Sequence, residues 1–216
     1  MAYAPALERQ LRAVERVKAT RDGPRAEEFL LLVEHDPPVV TIGRGGGSEN
    51  VLLSREALAA RGVELHESSR GGDVTYHGPG QMVAYPVIDL ARHGRDVHRY
   101  LRDLEQVVMA LLARYGIEGR RDPKYTGVWV GDEKVCAIGV AITRWVTYHG
   151  LALNVATDLS HFGLIVPCGI TDRGVTSMEK LLGQRLSMEK VAAELVEEFA
   201  RVFGFAAVTE ASPASL

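Results

Sequence analysis

Apolar residues recur at helical spacing in three long stretches of the chain. These stretches are predicted to form amphipathic helices, and they cover residues 6–19, 97–115 and 187–203. Gly116 and Gly204 follow the last two stretches, as expected of residues that end a helix. Two shorter helices are predicted from capping residues, one that begins after Ser54 and one in which Thr176 and Glu179 form a capping box.

Shorter apolar runs bounded by glycine and proline predict strands. They lie at residues 29–35, 39–43, 74–76, 82–90, 127–142 and 145–156. The first two runs, FLLLVEH and VVTIG, are mostly apolar and are predicted to be buried strands. The run at 127–142 is divided by a Gly-Asp-Glu turn, which predicts a hairpin.

Predicted hairpins outnumber strand–helix–strand crossovers along the chain, so we expect an α/β (α+β) fold. Its sheet should be mixed and largely antiparallel, with flanking helices. The chain of 216 residues is long enough for a sizeable core, and no linker divides it. We therefore expect one domain over residues 1–216, with a frayed tail at 209–216.

Composition narrows the class of protein only a little. Apolar residues make up 46% and charged residues 25%, which is typical of a soluble globular protein, and the net charge of −3 favours neither a nucleic-acid nor a membrane partner. No apolar run approaches membrane-spanning length. Two cysteines make no disulfide framework, and we expect no secretory segment, so a reducing cytoplasmic location is predicted.

Charged residues are unevenly distributed along the chain. Between Arg92 and Lys124 the chain has eight Lys/Arg against five Asp/Glu. Two interpretations stay open for this excess, a solvated helix face and a surface that faces an acidic partner.

A glycine-rich stretch, RGGDVTYHGPGQ, occupies residues 70–81. It is neither a phosphate-binding loop of the Walker type nor a dinucleotide fingerprint, because no Gly-Lys-Ser/Thr follows and no GxGxxG opens a helix. One interpretation is a pair of tight turns around the short strand Val74–Tyr76. The other is a ligand-binding wall, since glycine lets backbone approach a ligand closely and an Arg and a His lie between the turns.

The two cysteines have different sequence settings. Cys136 lies inside the apolar run KVCAIGVAI, which is typical of a buried structural cysteine. Cys168 lies between Pro167 and Gly169, where the chain leaves an apolar segment, and this position is a candidate for a nucleophile. A thiol is mostly protonated at neutral pH, so a nucleophilic cysteine needs a cation beside it.

Lys134 is the candidate for that cation. Lys18, Lys124, Lys180 and Lys190 have polar neighbours and should be solvated, whereas Lys134 opens an apolar strand. Two interpretations stay open: a lysine that protects a hairpin edge from aggregation, and a cation that points into a cleft. Strict alternation along the strand would place Lys134, Cys136 and Ile138 on one face and Val135, Ala137 and Gly139 on the other.

Other chemistries are less well supported. A Cys-His-Asn hydrolase would use Cys168, His149 and Asn154, but the chain order and the missing CGSCW sequence count against it. We interpret His149 and His77 as hydrogen-bonded residues of a core or pocket wall. The two cysteines have no second pair or HxxxH beside them, so no metal site is predicted.

RGGDVTYHGPGQ also resembles the signature of the lipoyl(octanoyl) transferase family, the octanoyl-carrier-protein:protein N-octanoyltransferases. Further landmarks of this family occur in order along the chain, namely EHDPPVVTIGR (34–44), GVWVGDEKVCAIG (127–139), HGLALNV (149–155) and PCGI (167–170). The resemblance implies the fold of biotin- and lipoate-protein ligase catalytic domains. Asp73 stands where the family more often has Gln, and Cys136 where it often has Ala.

The resemblance implies an octanoyltransferase in which Cys168 carries the acyl group and Lys134 is its partner. No bound cofactor is implied, because the acyl group arrives on the phosphopantetheine of acyl carrier protein. The implied acceptors are lysines on the lipoyl domains of 2-oxoacid dehydrogenase complexes and on the glycine cleavage H protein.

The resemblance also implies a slot for the acyl chain, which a side chain at Gly72 or Gly139 would fill. The implied wall residues are Arg70, Gly71, Gly72, Asp73, Val74, Thr75, Tyr76, His77, Ala137, Ile138, Gly139, Gly150, Leu151 and Ala152. Two other functions stay open: an ATP-dependent lipoate–protein ligase on the same fold, and a non-catalytic scaffold that binds lipoyl domains.

Overall fold

A computed structural model describes residues 1–24, 26–167 and 173–210 of the chain. The helices are α1 (Tyr3–Thr20), α2 (Arg55–Ala59), α3 (Val97–Arg114), α4 (Met178–Leu182) and α5 (Met188–Phe203), with short 3-10 helices at Ser48–Asn50 and Leu159–Leu164. The strands are β1 (Phe29–Val33), β2 (Val39–Ile42), β3 (Glu64–Glu67), β4 (Val74–His77), β5 (Gln81–Val87), β6 (Arg120–Arg121), β7 (Val128–Val130), β8 (Glu133–Thr143), β9 (Val146–Asn154) and β10 (Gly174–Val175). The tail predicted to fray lies outside the described residues from residue 211 onward.

Two sheets form the fold. The main sheet has the strand order β1-β5-β9-β8-β7-β6, with antiparallel neighbours, and β10 pairs in parallel with the start of β8. The second sheet has the order β3-β2-β4, in which β2 is parallel to β3 and antiparallel to β4. The predicted mixed, largely antiparallel architecture is confirmed.

Helices cover both faces of the main sheet. Along β5, Met82 and Ala84 pack with the apolar faces of α3 and α5, whereas Val83 and Tyr85 face the side on which α1 lies. The second sheet has a core of its own against α2 and the Leu159–Leu164 segment. No helix in the described ranges combines the length and apolarity that a membrane crossing needs.

The three long helices and the Ser54 cap are confirmed, and Ser54 Oγ accepts from the N–H of Ala57. The cap predicted at Thr176 is wrong by one residue. Ser177 caps α4, because its Oγ accepts the N–H of Lys180 at 3.2 Å. The Thr176 hydroxyl is instead buried and has no hydrogen-bond partner among the described residues.

The prediction that residues 29–35 form a fully buried strand is also wrong. β1 lies at the edge of the main sheet, and only Val33 among its five residues is buried. An edge strand has a neighbour on one side only, so its apolar side chains stay partly accessible.

A β-bulge overturns the predicted alternation along β8. Trp129 pairs with Lys134 and Val128 pairs with Cys136, so Val135 is an extra residue on β8. The bulge shifts the phase of the strand: Lys134 lies in a cleft together with Ala137, and Cys136 is buried in the core beneath α3 and α5. Gly127 permits this packing, because a Cβ at this position would lie 2.6 Å from the Cys136 carbonyl oxygen.

Candidate active site

A cleft lies between the two sheets and has two parts, called inner and outer below, which share lining residues. The inner part has an empty volume of about 540 Å³, its opening included. Both parts share the residues at the boundary, which are Thr75, Lys134, Ala137 and Ala152. The cleft is therefore a slot with a mouth at Lys134.

Small and apolar residues form the walls of the inner part. Val83, Leu151 and Ala152 come from the main sheet, and Ala137 lies opposite Ala152 in the β8–β9 pairing. Gly139 is needed for close packing, since a Cβ there would lie 2.8 Å from the Gly71 carbonyl oxygen. That glycine thus sets the approach of the 70–72 loop to β8, which refines the expectation that a side chain at Gly139 would only fill the slot.

A buried guanidinium lies at the polar end of the inner part. Arg70 Nη2 donates to the Thr41 carbonyl oxygen at 2.7 Å and to Thr41 Oγ1 at 2.9 Å, and Nη1 donates to the Gly71 carbonyl oxygen at 3.1 Å. These bonds hold Arg70 against β2, so its charge is fixed at one end of the slot.

Three buried histidines stand in or behind the same wall. Burial lowers the pKa of His77 to about 3 and the pKa values of His35 and His149 to about 4. Hydrogen bonds orient the rings: His77 Nδ1 pairs with Gln81 Oε1 at 2.8 Å, and His35 Nε2 with the Tyr85 hydroxyl at 2.7 Å. All three side chains are neutral at pH 7, so they add polarity to the slot without charge.

His149 is held in an unusual backbone conformation. Its φ of +57° is in the left-handed region, which costs free energy for a non-glycine residue. Its N–H donates to Gln10 Oε1 on α1 at 2.8 Å, and its Nε2 lies 3.1 Å from Ser69 Oγ. The structure thus places His149 in the slot wall, with α1 holding it there.

Lys134 lies at the mouth, on a strand inside the sheet. At this position β8 has β7 on one side and β10 on the other, so the interpretation as a hairpin-edge lysine does not fit. Its Nζ is 4.8 Å from the centre of the Trp129 ring, and the Arg173 guanidinium carbon is 5.1 Å from the same ring. Trp129 therefore supports two cations at the mouth.

Cys168, the predicted nucleophile, lies outside the described residues. Pro167 and Arg173, the described residues before and after the segment 168–172, both line the outer part of the cleft with Lys134. Cys136 is fully buried, and burial raises the pKa of its thiol. The expectation that Cys136 is a core residue is confirmed.

The remaining predicted wall residues divide into two groups. The residues that line the inner part are Arg70, Gly71, Gly72, Thr75, His77, Ala137, Ile138, Gly139, Gly150, Leu151 and Ala152. Three do not line it. Val74 and Tyr76 point to the core of the second sheet, because alternate residues of β4 face opposite sides, and Asp73 accepts from Asn50 Nδ2 at 2.6 Å in the neighbouring loop.

The alternative Cys-His-Asn arrangement is not supported. His149 and Asn154 lie five residues apart along β9, which is about 16 Å at the usual rise of a strand. The Asn154 amide is engaged by Gln81 and by the Thr176 carbonyl oxygen. Within the described part of the chain, no three His, Cys, Asp or Glu side chains come together as metal ligands.

Six residues of this site were not predicted from the sequence: Tyr3, Thr41, Val83, Tyr85 and Thr126, which line the inner part, and His35, which stands behind it. His35 and Thr41 lie in EHDPPVVTIGR, one of the stretches that carried the family resemblance, so a signal was available for both. The other four had none, because their positions depend on how α1, β5 and the segment before β7 pack.

Two facing sheets around a small-residue slot define the class of catalytic domains found in lipoate- and biotin-protein ligases. Three solved structures share the fold. A lipoate-protein ligase A bound with ATP has a TM-score of 0.70 at 19% identity over 90% of this chain and 81% of that chain. A bipartite lipoate protein ligase of Thermoplasma acidophilum has a TM-score of 0.69 at 18% identity and covers 90% of this chain and 79% of that chain. A biotin protein ligase of Aquifex aeolicus has a TM-score of 0.52 at 14% identity and covers 77% of this chain and 70% of that chain.

The chain belongs to the lipoyl protein ligase A/B catalytic domain family, whose model matches residues 3–200, and within it to the octanoyltransferases, which are enzymes. A relative named octanoyltransferase from Caldicellulosiruptor saccharolyticus is 53% identical over 88% of this chain and 81% of its own length. One from Solibacter usitatus is 51% identical over 99% of this chain and 94% of its own length.

Proposed function

We propose that this chain is a single catalytic domain that transfers an octanoyl group from acyl carrier protein to lysines of lipoyl domains without ATP. The observation that carries the proposal is the arrangement at the mouth of the slot. Lys134 lies there, and Pro167 and Arg173, which enclose the segment containing Cys168, line the same outer cleft. The names of relatives about half identical to this chain support the reaction.

In the first step, the Cys168 thiolate, paired with the Lys134 ammonium, attacks the carbonyl carbon of the octanoyl thioester. The bond from that carbon to the pantetheine sulfur breaks, and the leaving thiolate takes a proton from Lys134. The products are octanoyl-Cys168, a neutral Lys134 amine and the free carrier thiol. Since one thioester replaces another, this step is nearly balanced in free energy and needs no ATP.

In the second step, the ε-amine of the acceptor lysine attacks octanoyl-Cys168. Lys134 takes the proton that the amine loses, and Cys168 leaves as a thiolate. The initial thiolate–ammonium pair is thereby restored. An amide replaces a thioester, so this step is downhill.

The slot is suited to an aliphatic chain. Val83, Leu151 and Ala152, with Ala137 opposite, give it an apolar wall, and its histidines are neutral. At about 0.8 kcal/mol for each buried methylene, an eight-carbon chain can gain several kcal/mol of binding free energy. The enzyme can therefore select its donor by the length of the acyl chain.

The proposal includes the partners and the location. The acceptors are the lipoyl domains of 2-oxoacid dehydrogenase complexes and the glycine cleavage H protein, and both proteins meet the enzyme in the cytoplasm. One structural neighbour is described together with its E2 lipoyl domain, which supports this type of acceptor. No bound cofactor takes part, because the acyl group arrives on the phosphopantetheine of its carrier.

The test is a transfer assay with purified octanoyl-acyl carrier protein and a lipoyl domain, with and without ATP. We expect octanoyl-lysine to form at the same rate in both conditions, and Cys168→Ser to abolish the product while Cys136→Ser retains it. Strict dependence on ATP, with octanoic acid as donor, would show a ligase instead. Tight binding of the lipoyl domain with no transfer would show a non-catalytic scaffold.

A further inference from the structure

Six cations form a band that begins at the outer cleft, passes around the β6 edge of the main sheet and reaches the N-terminal half of α3. These residues, called the basic band below, are Arg99, Arg102, Arg120, Arg121, Lys124 and Arg173. Five of the six belong to residues 92–124, the segment with an excess of Lys and Arg. Its outer members are well exposed, at 71% for the Arg99 side chain and 49% for that of Arg102.

A buried carboxylate organises the end of the band at the cleft. Asp122 Oδ2 lies 2.7 Å from Arg173 Nη1 and 3.7 Å from Arg120 Nη1. Asp122 Oδ1 accepts the N–H of Lys124 at 2.8 Å, and this bond is the main reason that the pKa of Asp122 is lowered. Asp122 is therefore charged, lies beneath its cations and holds them around the mouth.

A second buried carboxylate organises the end at α3. Glu105 Oε2 lies 2.7 Å from Arg102 Nη1 and 3.1 Å from Arg121 Nε, and its Oε1 accepts the N–H of Gly127. Arg121 Nη2 also donates to the Arg102 carbonyl oxygen at 3.0 Å. Two guanidiniums are thus fixed above one carboxylate that solvent does not reach.

The surface that results is positive. Four carboxylates form ion pairs with the arginines of the band, and two of the four, Glu105 and Asp122, are buried. The other two are closer to the surface, since Asp132 is 86% exposed and Asp103 is 33% exposed. Surface charges of one sign accelerate encounter with a partner of the opposite sign, and this effect weakens with salt.

We propose that the basic band is the docking surface for the acidic carrier protein that delivers the donor acyl chain. This inference rests on the function proposed above. The donor fits better than the acceptor for a geometric reason. An acceptor lysine has only a four-carbon stem, so its domain must sit over the mouth itself. The donor's acyl chain is carried on a long arm, with an anionic phosphodiester between the thioester and the protein. The carrier protein itself therefore contacts a part of the enzyme surface that is farther from the mouth, where the basic band continues.

The test separates carrier recognition from chemistry. Arg99→Glu combined with Lys124→Glu reverses two exposed charges of the band. Arg12→Glu combined with Arg201→Glu makes the same change elsewhere, on α1 and α5, where the two side chains are 53% and 62% exposed. The rate of octanoyl-enzyme formation is measured by intact mass, without acceptor, using octanoyl-acyl carrier protein and octanoyl-pantetheine in turn.

We expect the band variant to lose about tenfold or more in kcat/KM with the carrier-borne donor and to keep the wild-type rate with octanoyl-pantetheine. The control variant should match the wild type with both donors. The wild-type rate with carrier protein should fall with salt more steeply than the variant's rate.

Three results would overturn the proposal: wild-type rates for the band variant with carrier protein, an equal loss with both donors, or a change only in KM for the lipoyl domain. The last result would assign the band to the acceptor. Failure of the proposed function is distinguishable from these, because the wild type itself would then form no octanoyl-enzyme with either donor.

Discussion

Acid should destabilise this fold well above the pH at which its carboxylates titrate, because three histidines are buried in neutral form. A histidine of pKa 6.5 in the unfolded chain is protonated below that pH, whereas folded His77 stays neutral to about pH 3 and folded His35 and His149 to about pH 4. The unfolded chain therefore binds more protons in this window, and the free energy of unfolding falls as the pH falls.

The size of the effect follows from the shifts. At pH 5, 1.5 pH units below the unfolded pKa, each histidine costs about 2 kcal/mol, and the three together give an upper bound of about 6 kcal/mol. This is a large fraction of the about 5–15 kcal/mol that stabilises a typical domain. The stability is fully present above about pH 7 and is lost progressively from pH 6.5 down to about pH 4 for His35 and His149 and about pH 3 for His77.

Urea unfolding at pH 7 and pH 5 measures this loss, with one histidine removed at a time. His35→Phe should have a pH-dependent loss about 2 kcal/mol smaller than the wild type, whatever its absolute stability. His98→Asn, which alters an exposed histidine on α3, is the matched control and should leave the loss unchanged. Equal losses in wild type and His35→Phe would refute the assignment of His35 as a buried neutral group.

Three further predictions concern the slot and its mouth. Lys134→Ala should slow alkylation of Cys168 by iodoacetamide at pH 7 about tenfold for each unit by which the thiol pKa rises, and an unchanged rate–pH profile would argue against the pair. Cys136→Ala should keep near-wild-type turnover and lose about 1 kcal/mol in urea unfolding, so a large loss of turnover at normal stability would reopen the choice of thiol. Ala137→Leu should reduce kcat/KM for an octanoyl donor at least tenfold and for a butanoyl donor far less, whereas the exposed Ala113→Leu should affect neither; equal losses for both chain lengths would exclude Ala137 from the acyl slot.

The long elements could be predicted from the sequence because their periodicity is local. α1, α3 and α5 each have a mainly apolar buried face, with Gln10 on α1 and Glu105 on α3 as polar members, and Gly204 in a left-handed conformation ends α5 where expected. β6 and β10 have two residues each, too few for any period to appear. Thr176 and Ser177 are adjacent hydroxyls, and which one caps α4 depends on how β10 leads into the helix.

The residues of the site could be predicted from sequence motifs, but the directions of their side chains could not be predicted from the alternation of apolar and polar residues. The wall residues were identified through family resemblance, but the orientation of Lys134 depends on the extra residue Val135, and a bulge is a property of pairing between two strands. The position of Asp73 away from the slot likewise depends on its bond to Asn50, 23 residues earlier in the chain.

The central claim is that the acyl group passes through Cys168, and the most direct measurement is to map the acylated residue. The purified chain is incubated with octanoyl-acyl carrier protein, without ATP and without acceptor, then digested and analysed by tandem mass spectrometry at acidic pH. The account predicts one octanoyl group, sensitive to hydroxylamine, on Cys168. Octanoyl found on Cys136 or on a lysine, or no octanoyl-enzyme in a preparation that still transfers to lipoyl domains, would contradict it.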